Sequence, residues 1–450
     1  MAKTRCFAAI SILHSPFSIF AQFKMPLPEL IEIVSLVKPV QAQITVPGSK
    51  SITNRALILA ALAKGETTLQ GALWSEDTQV MVKSLQDLGF AVQVAPDPDE
   101  VCNRVITVQG MGGKIPKAGT EEEPLELYVG NAGTAARFLS ALVCLGQGVY
   151  KLYGVPRMHQ RPQAALFKAL RDLGYRVDSA NDKLPVVIHG TGARPSKCIV
   201  SIEGSSQFAS ALLLCSSIGK WEIEIVGENA EESPYVVMTS KLINSFPKNG
   251  GRFQIEPDAS SDSYFFAAKW LTRLKGDSPD FNFVTSYIYS DWQVDAHLPK
   301  RWQQSEISRK GELGDSIMTA IVMAPLFVDS RKFTNLAPLR LQECERVVAL
   351  KTELIKCGAK VIETGDTLEV FPSELHGAEI ETYDDHRMAM CFAILGLKVP
   401  GIKIKNPACV KKTFPNFFQK LAAAPPVGLG ATILDAQTGR TLSGDELFAD

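Results

Sequence analysis

Two kinds of helical pattern alternate along the chain. In the first, a polar turn rich in Ser, Asn and Asp runs straight into a small-residue apolar segment. It occurs six times, as SKSITNRALILAALAKG (49–65), NAGTAARFLSALVCLG (131–146), SSQFASALLLCSSIG (205–219), SSDSYFFAAKWL (260–271), GDSIMTAIVMAPL (314–326) and DDHRMAMCFAILGL (384–397). These segments are apolar nearly all round, which predicts buried helices, and the polar residue at each start can act as an N-cap. The second kind is amphipathic and ends at a glycine followed by a strand. SEDTQVMVKSLQDLGFAVQV (75–94), RPQAALFKALRDLGYRVDS (161–179) and ECERVVALKTELIKCGAKVIE (343–363) share the ending L-x-x-[LC]-G-x-x-V, a helix closed by a C-cap glycine. PYVVMTSKLINSFPKNGGRFQIE (234–256) is a looser copy, and KTFPNFFQKL (412–421) reads as the last helix of this kind. The remaining copy belongs between 272 and 310, where the pattern has no clean period. Short apolar runs such as VITVQG (105–110), PVVIHG (185–190), WEIEIVG (221–227) and TLEVFP (367–372) predict strands between the helices.

The recurrence predicts an α/β protein of six βαβ-containing units, three in each of two domains, with one buried helix per unit. The break falls near Glu256–Asp258. One domain then spans 47–256, and the other spans 257–421 together with 25–46, whose strand-like AQITV (42–46) is expected to pair back into it. The last residues, 422–450, fit no repeat and read as a weakly ordered tail. Residues 1–24 carry Lys and Arg but no acid. They read either as an organelle-targeting segment or as residues upstream of a true start at Met25, and the second reading is preferred because the regular pattern begins only after it.

Composition narrows the functional classes. Across 450 residues, 47 Lys and Arg face 48 Asp and Glu, so the chain lacks the basic excess of a general nucleic-acid binder. No run approaches the roughly 18 apolar residues that span a bilayer. The nine cysteines are scattered without a CxxC pair and the six histidines are dispersed. The expectation is a cytoplasmic protein with no metal, no cofactor and no membrane or nucleic-acid partner.

Chemistry gathers at the helix starts, where free N–H groups and the helix dipole attract anions. Lys50, Arg55, Arg157, Arg161, Arg346, Arg387 and Lys412 fall in or beside such turns, with Ser51, Ser205, Ser206 and Gln207 as neutral donors. Together they predict a cleft for a multiply anionic small molecule, since Arg forks onto carboxylate and phosphate. Asp315, Glu343 and Asp385 stand in the same class of turn and are candidates for proton transfer. Plainer roles exist for several features. GMGGK (110–114) lacks P-loop spacing and reads as a turn, Cys215, Cys344, Cys357 and Cys391 read as core, and His386 beside an Arg reads as a hydrogen-bonded structural residue.

Taken together, PGSKSITNRALILAAL (47–62), GNAGTAARFLSAL (130–142), PRMHQRP (156–162), GSSQFASALLL (204–214), PDASS (257–261), DDHRMAMCF (384–392) and KTFP (412–415) resemble, in order, the signature segments of the 5-enolpyruvylshikimate-3-phosphate synthase family of enolpyruvyl transferases. The related UDP-N-acetylglucosamine enolpyruvyl transferases are less similar. The resemblance implies two domains, each a threefold repeat of βαβαββ units in an inside-out α/β barrel, closing over a cleft in a monomer. It implies transfer of the enolpyruvyl group of phosphoenolpyruvate to the 5-hydroxyl of shikimate 3-phosphate by addition and elimination, without a metal or covalent adduct. By the same resemblance, Lys50, Gly133, Arg157, Gln207, Arg346, Arg387 and Lys412 hold phosphoenolpyruvate. Lys50, Ser51, Arg55, Ser205, Ser206, Gln207, Asp315 and Gln342 hold the acceptor, Asp315 takes the hydroxyl proton, and Glu343 or Lys412 protonates the methylene carbon. The retained Gly133 implies sensitivity to glyphosate.

Three positions depart from the family pattern. The stretch N-x-R-x-K-E-x-x-R appears here as Pro338-Leu-Arg-Leu-Gln342-Glu-Cys-Glu-Arg346, so an acceptor-contacting Asn and Lys are replaced by Pro338 and Gln342. Glu232 occupies the place of a phosphate-contacting Ser, three residues before Tyr235. A lost cation and a gained carboxylate both disfavour a phosphorylated acceptor. This leaves three readings: the family activity, a paralogous transferase with another cyclic acceptor, and a binding protein that keeps the fold without catalysis.

Overall fold

The computed structural model describes residues 27–38, 40–227, 233–272 and 289–449. The six small-residue segments form helices at Lys50–Leu62, Gly133–Leu142, Gln207–Gly219, Ala259–Thr272, Ile317–Met323 and His386–Gly396. Every residue of Gly133–Leu142, Ile317–Met323 and His386–Gly396 is buried, as their all-round apolar surfaces require. The amphipathic segments form outer helices, including Glu76–Asp87, Ala164–Asp172 and Arg346–Lys356.

Strand pairing repeats in step with the helices. In one sheet Leu125–Tyr128 lies parallel to Gln147–Tyr153, and Val186–Thr191 and Arg176–Asp178 follow antiparallel. The same sequence of one parallel and two antiparallel pairings recurs in Glu306–Ser308, Arg331–Thr334, Thr367–Val370 and Val361–Thr364. It recurs again in Gly251–Gln254, Lys64–Leu73, Asn103–Met111 and Val92–Pro96. The strands Ser196–Ser201 and Trp221–Val226 pair in parallel around a buried helix. Apolar side chains fall into two cores, one built from residues 52–255 and the other from the C-terminal half with residues 27–46.

Two expectations about the chain ends need correction. The strand that pairs into the C-terminal half is Leu30–Ile33, between Ile402–Lys405 and Ile433–Asp435, and not AQITV at 42–46. In the latter segment only Ala42, Ile44 and Val46 are buried, without a ladder. The tail is not loose. Ile433–Asp435 closes the sheet edge, and Leu429, Ala431, Ile433, Leu442 and Leu447 lie in the C-terminal core. Its low apolar density hid this, because its buried residues are spread among turns. Deleting 424–450 should therefore lower the melting temperature by many degrees, since removing several buried aliphatic side chains costs about 2–5 kcal/mol each. An unchanged thermal shift would contradict the packed tail. The irregular repeat of 272–310 lies partly outside the described residues; its described end holds the short helix Leu298–Arg301.

The halves are joined where Pro47–Ser49 runs beside Glu256–Asp258. Ser49 N donates to Glu256 O at 2.7 Å and Asp258 N to Pro47 O at 2.9 Å. Gly48 is required there, because a Cβ would stand 1.9 Å from Gly71 O.

Candidate active site

Helix starts from both halves converge on one cleft. Its walls include Lys50, Gly133, Gln207, Ser260 and His386, each at or near the first turn of a different buried helix, and Asp315, just before a sixth. Six apolar helices pointing their polar ends into one space account for the sequence pattern: the bodies form the cores and the caps form the site. Ser49 and Ser206 make no side-chain cap, although the Gln207 N–H is taken up by Ser205 Oγ.

The cations and acids form one network. Arg387 Nε lies 2.9 Å from Asp315 Oδ2, Arg346 Nη1 3.4 Å from Asp315 Oδ1, and Arg309 Nη2 3.8 Å from the same oxygen. Arg346 also reaches Glu343 at 2.9 Å and Asp385 at 2.6 Å and donates to Gln342 Oε1. Lys412 Nζ stands 3.2 Å from Glu343, and Lys50 is paired with Asp77 at 2.9 Å. Burial alone would raise the Asp315 pKa, but Arg387, Arg346 and Arg309 together hold it down to about 2. Glu343 is likewise held well below the carboxylate range: its burial is outweighed by Lys412, Arg346 and Arg161. For Arg387 and Lys412, desolvation is overcome by Asp315 and Glu343 respectively, so both stay protonated. His386 is buried and kept neutral, first by desolvation and then by Arg387 and Lys50. Neither ring nitrogen has a hydrogen-bond partner among the described residues, with Asp385 Oδ1 3.8 Å from Nδ1, so it is not the hydrogen-bonded structural residue expected.

A stability consequence follows from the two carboxylates. Their folded pKa values are depressed, so their contribution is complete above the unfolded carboxylate range and is lost as pH falls. The ligand-free melting temperature should decline between about pH 4 and the Asp315 value of about 2. A flat profile across that window would contradict the network.

Most of the expected site residues meet in the cleft: Lys50, Ser51, Arg55, Gly133, Ser206, Gln207, Asp315, Gln342, Glu343 and Arg387 line it. Arg346 and Lys412 stand behind it, bonded to its acids. Arg55 is clamped by Thr239 at 2.7 Å and Ser210 at 3.1 Å, and its desolvation lowers the guanidinium pKa to about 10. Ser205 is not a wall; its hydroxyl accepts from Gln207 N at 3.2 Å and steadies the helix start.

Arg157 also needs correction. It is half-buried at the rim, donating to Gln342 O at 3.0 Å across the two halves, and the cation that this segment places in the cleft is Arg161. Arg161 is 7% exposed and donates to Asn131 O at 3.0 Å. The two arginines are four residues apart in one polar turn, and nothing in the spacing says which points inward. Gly133 lies against this group: a Cβ there would stand 2.8 Å from Arg161 Nη2 and 2.9 Å from Arg137 Nη1. Pro338 sits in the short turn Ala337–Leu341 and does not line the cleft, whereas Gln342 does, its Nε2 3.4 Å from Asp315. Glu232 lies outside the described residues.

Sequence reasoning missed Asp295. Its Oδ1 accepts from Gly314 N at 2.7 Å, Ser316 N at 3.1 Å and Ser316 Oγ at 2.6 Å, so it fixes the turn that presents Asp315. It comes from the stretch without a clean period, which gave no signal. Arg309 was missed for a similar reason, as a single charge outside the repeated segments, and Asp77 because it opens an amphipathic helix, where an acid reads as an ordinary first-turn residue.

A cation-lined cleft between two halves built of recurring α/β units is the arrangement that the resemblance to the enolpyruvyl transferases implied. The family model described as EPSP synthase (3-phosphoshikimate 1-carboxyvinyltransferase) matches residues 34–275 and 290–421, and the chain belongs to that family. It is 36% identical over 430 residues to the 3-phosphoshikimate 1-carboxyvinyltransferase of Nostoc punctiforme, covering 87% of this chain and 98% of that one. Identity to the protein of the same name from Opitutus terrae is 36% over 434 residues, covering 88% and 98%. Among solved structures, EPSP synthase from Acinetobacter baumannii superposes with a TM-score of 0.66 at 21% identity, covering 90% of this chain and 99% of that one. The enolpyruvyl transferase NikO from Streptomyces tendae superposes at 0.58 and 13%, covering 90% and 98%. At those identities the two structures speak for the fold.

Proposed function

We propose that this chain transfers the enolpyruvyl group of phosphoenolpyruvate to the 5-hydroxyl of shikimate 3-phosphate, releasing inorganic phosphate, as a step of the shikimate pathway. The observation that carries this reading is the pair of acids Asp315 and Glu343 on one guanidinium, Arg346, walled by cations from both halves. Family membership and the names of the relatives support it.

In the ligand-free site Asp315 is a weak base because three arginines face it. A phosphoenolpyruvate anion seated on Arg387 and Arg346 screens that field, which raises the basicity of the carboxylate beside the acceptor hydroxyl. Asp315 then takes the hydroxyl proton as the oxygen bonds to C2 of phosphoenolpyruvate. The methylene carbon gains a proton from the Lys412–Glu343 pair, whose proton rests on the lysine at neutral pH. This makes a tetrahedral adduct. Loss of a methyl proton to the same pair restores the double bond and recharges the lysine, while phosphate departs carrying the proton that Asp315 took from the hydroxyl, so atoms and charge balance over the two steps. Preorganised cations stabilise the phosphate as it leaves.

The direct test is phosphate release from phosphoenolpyruvate with and without shikimate 3-phosphate. Release only with the acceptor is the expected result, and its absence with both substrates contradicts the reading. Glyphosate should inhibit that release, because Gly133 keeps the space beside Arg161 open. Gln342, which faces the cleft where the family has a lysine, favours one second reading: a transferase for an unphosphorylated cyclic alcohol. Faster turnover with shikimate than with its 3-phosphate would select it.

A further inference from the structure

Gln293 and Asp295 are buried between the crossing of the two halves and the turn that carries Asp315, each only 4% exposed. Gln293 Oε1 accepts from Ala259 N at 3.0 Å, and its Nε2 donates to Pro257 O at 2.8 Å and to Glu256 Oε2 at 3.1 Å. These three bonds fasten it to the chain where it passes from one half to the other. Two residues further on, Asp295 Oδ1 accepts from Gly314 N, Ser316 N and Ser316 Oγ, and its Oδ2 accepts from Ser260 Oγ. A carboxylate offers about four acceptor sites, so four donors leave Asp295 none to spare for a substrate.

Asp315 stands in a turn, two residues before the helix Ile317–Met323, whose N-cap Ser316 makes no side-chain bond to the helix. Its carboxylate is held in the cleft by Arg387 and Arg346. The Asp295 bonds hold the residues on either side of it, 314 and 316. Gly314 leaves no slack between them, because a Cβ there would stand 2.6 Å from Tyr235 Oη and 3.0 Å from Asp295 Oδ2. A base acts only within hydrogen-bond reach of the proton it takes, and a displacement of about 1 Å costs on the order of a hundredfold in rate.

We propose that Asp295 is a positioning residue for Asp315, and that Gln293 ties it to the crossing, so that the base keeps its place relative to both halves. This rests on the enolpyruvyl-transfer reading and deepens it. Asp295 acts on turnover through the backbone around Asp315 and touches neither substrate.

The test is a double-mutant cycle on the full chain, read as phosphate release from phosphoenolpyruvate with shikimate 3-phosphate. Asp295→Ala should lower kcat about a hundredfold while changing the Michaelis constant for phosphoenolpyruvate less than about threefold. Asp295→Asn keeps an oxygen for the two N–H groups and an amide for the Ser260 hydroxyl, and should stay within about tenfold of wild type. In an Asp315→Asn background, Asp295→Ala should cost less than about threefold more, because a residue that acts through another adds little once that one is gone. General loosening of the fold would instead add its loss in full. Gln293→Ala should lower kcat about three- to tenfold, with the loss again vanishing beside Asp315→Asn; it also carries the test where Asp295→Ala does not fold. A loss below about tenfold in Asp295→Ala, equal damage in Asp295→Asn, or losses that add in full to that of Asp315→Asn overturn the assignment. Wild-type rates in Gln293→Ala overturn the tie to the crossing. If the wild type itself releases no phosphate with shikimate 3-phosphate, the functional reading has failed. An active wild type with any of those contrary results means that only this inference has.

Discussion

Arg387→Ala should lower kcat/KM by about a thousandfold, because a preorganised charge in a closed site contributes ~3–4 kcal/mol to the transition state. Arg387 bonds both to Asp315, at 2.9 Å, and to Tyr264 Oη, at 3.1 Å. Its removal takes one cation from the phosphoenolpyruvate site and loosens the base at the same time. Lys412→Ala should be comparably damaging for a different reason. It removes the group that carries the proton beside Glu343 and the contact to Asn131 O that reaches across the two halves at 3.4 Å. Initial rates over a grid of both substrates would measure these effects. Near-normal turnover in both variants would dissolve the site.

Asp315→Asn should give the opposite split between binding and turnover. General-base removal costs about 10²–10⁴-fold in kcat. Phosphoenolpyruvate binding should hold or improve, because the amide no longer competes for Arg387 and Arg346. Single-turnover kinetics beside a direct binding titration would separate the two. A variant with weakened phosphoenolpyruvate binding and near-normal chemistry would show Asp315 to be a ligand-holding residue instead of a base.

How much of this was legible in the sequence depends on periodicity. The six buried helices could be read because a helix apolar on every side has one destination, the core, and their polar starts then had to meet somewhere. Lys50, Gln207, Asp315 and Arg387 were found for the same reason, since each is tied to a repeated segment. The misreadings occur where no period constrains the side chain. Arg157 and Arg161 share one turn, and only tertiary packing turns Arg161 inward. Asp295 and Arg309 come from the irregular part of the fourth and fifth units. The tail around Ile433 earns its order from a sheet edge supplied by Leu30–Ile33, hundreds of residues earlier in the chain. A contact of that sequence separation leaves no local mark.

The two departures near residue 340 part ways in the structure. The Gln342 amide does face the cleft, as the resemblance implied. Pro338, counted with it in the sequence, lies away from the cleft in the turn Ala337–Leu341.

The central claim is enolpyruvyl transfer by addition and elimination in this cleft, and phosphorus and proton NMR of one reaction mixture in deuterated water tests it most directly. The account predicts that phosphoenolpyruvate is consumed only when shikimate 3-phosphate is present, with equimolar inorganic phosphate and a new enol ether whose vinyl carbon carries deuterium from solvent. Phosphate appearing without an enol ether, or an enol ether free of deuterium, would contradict it.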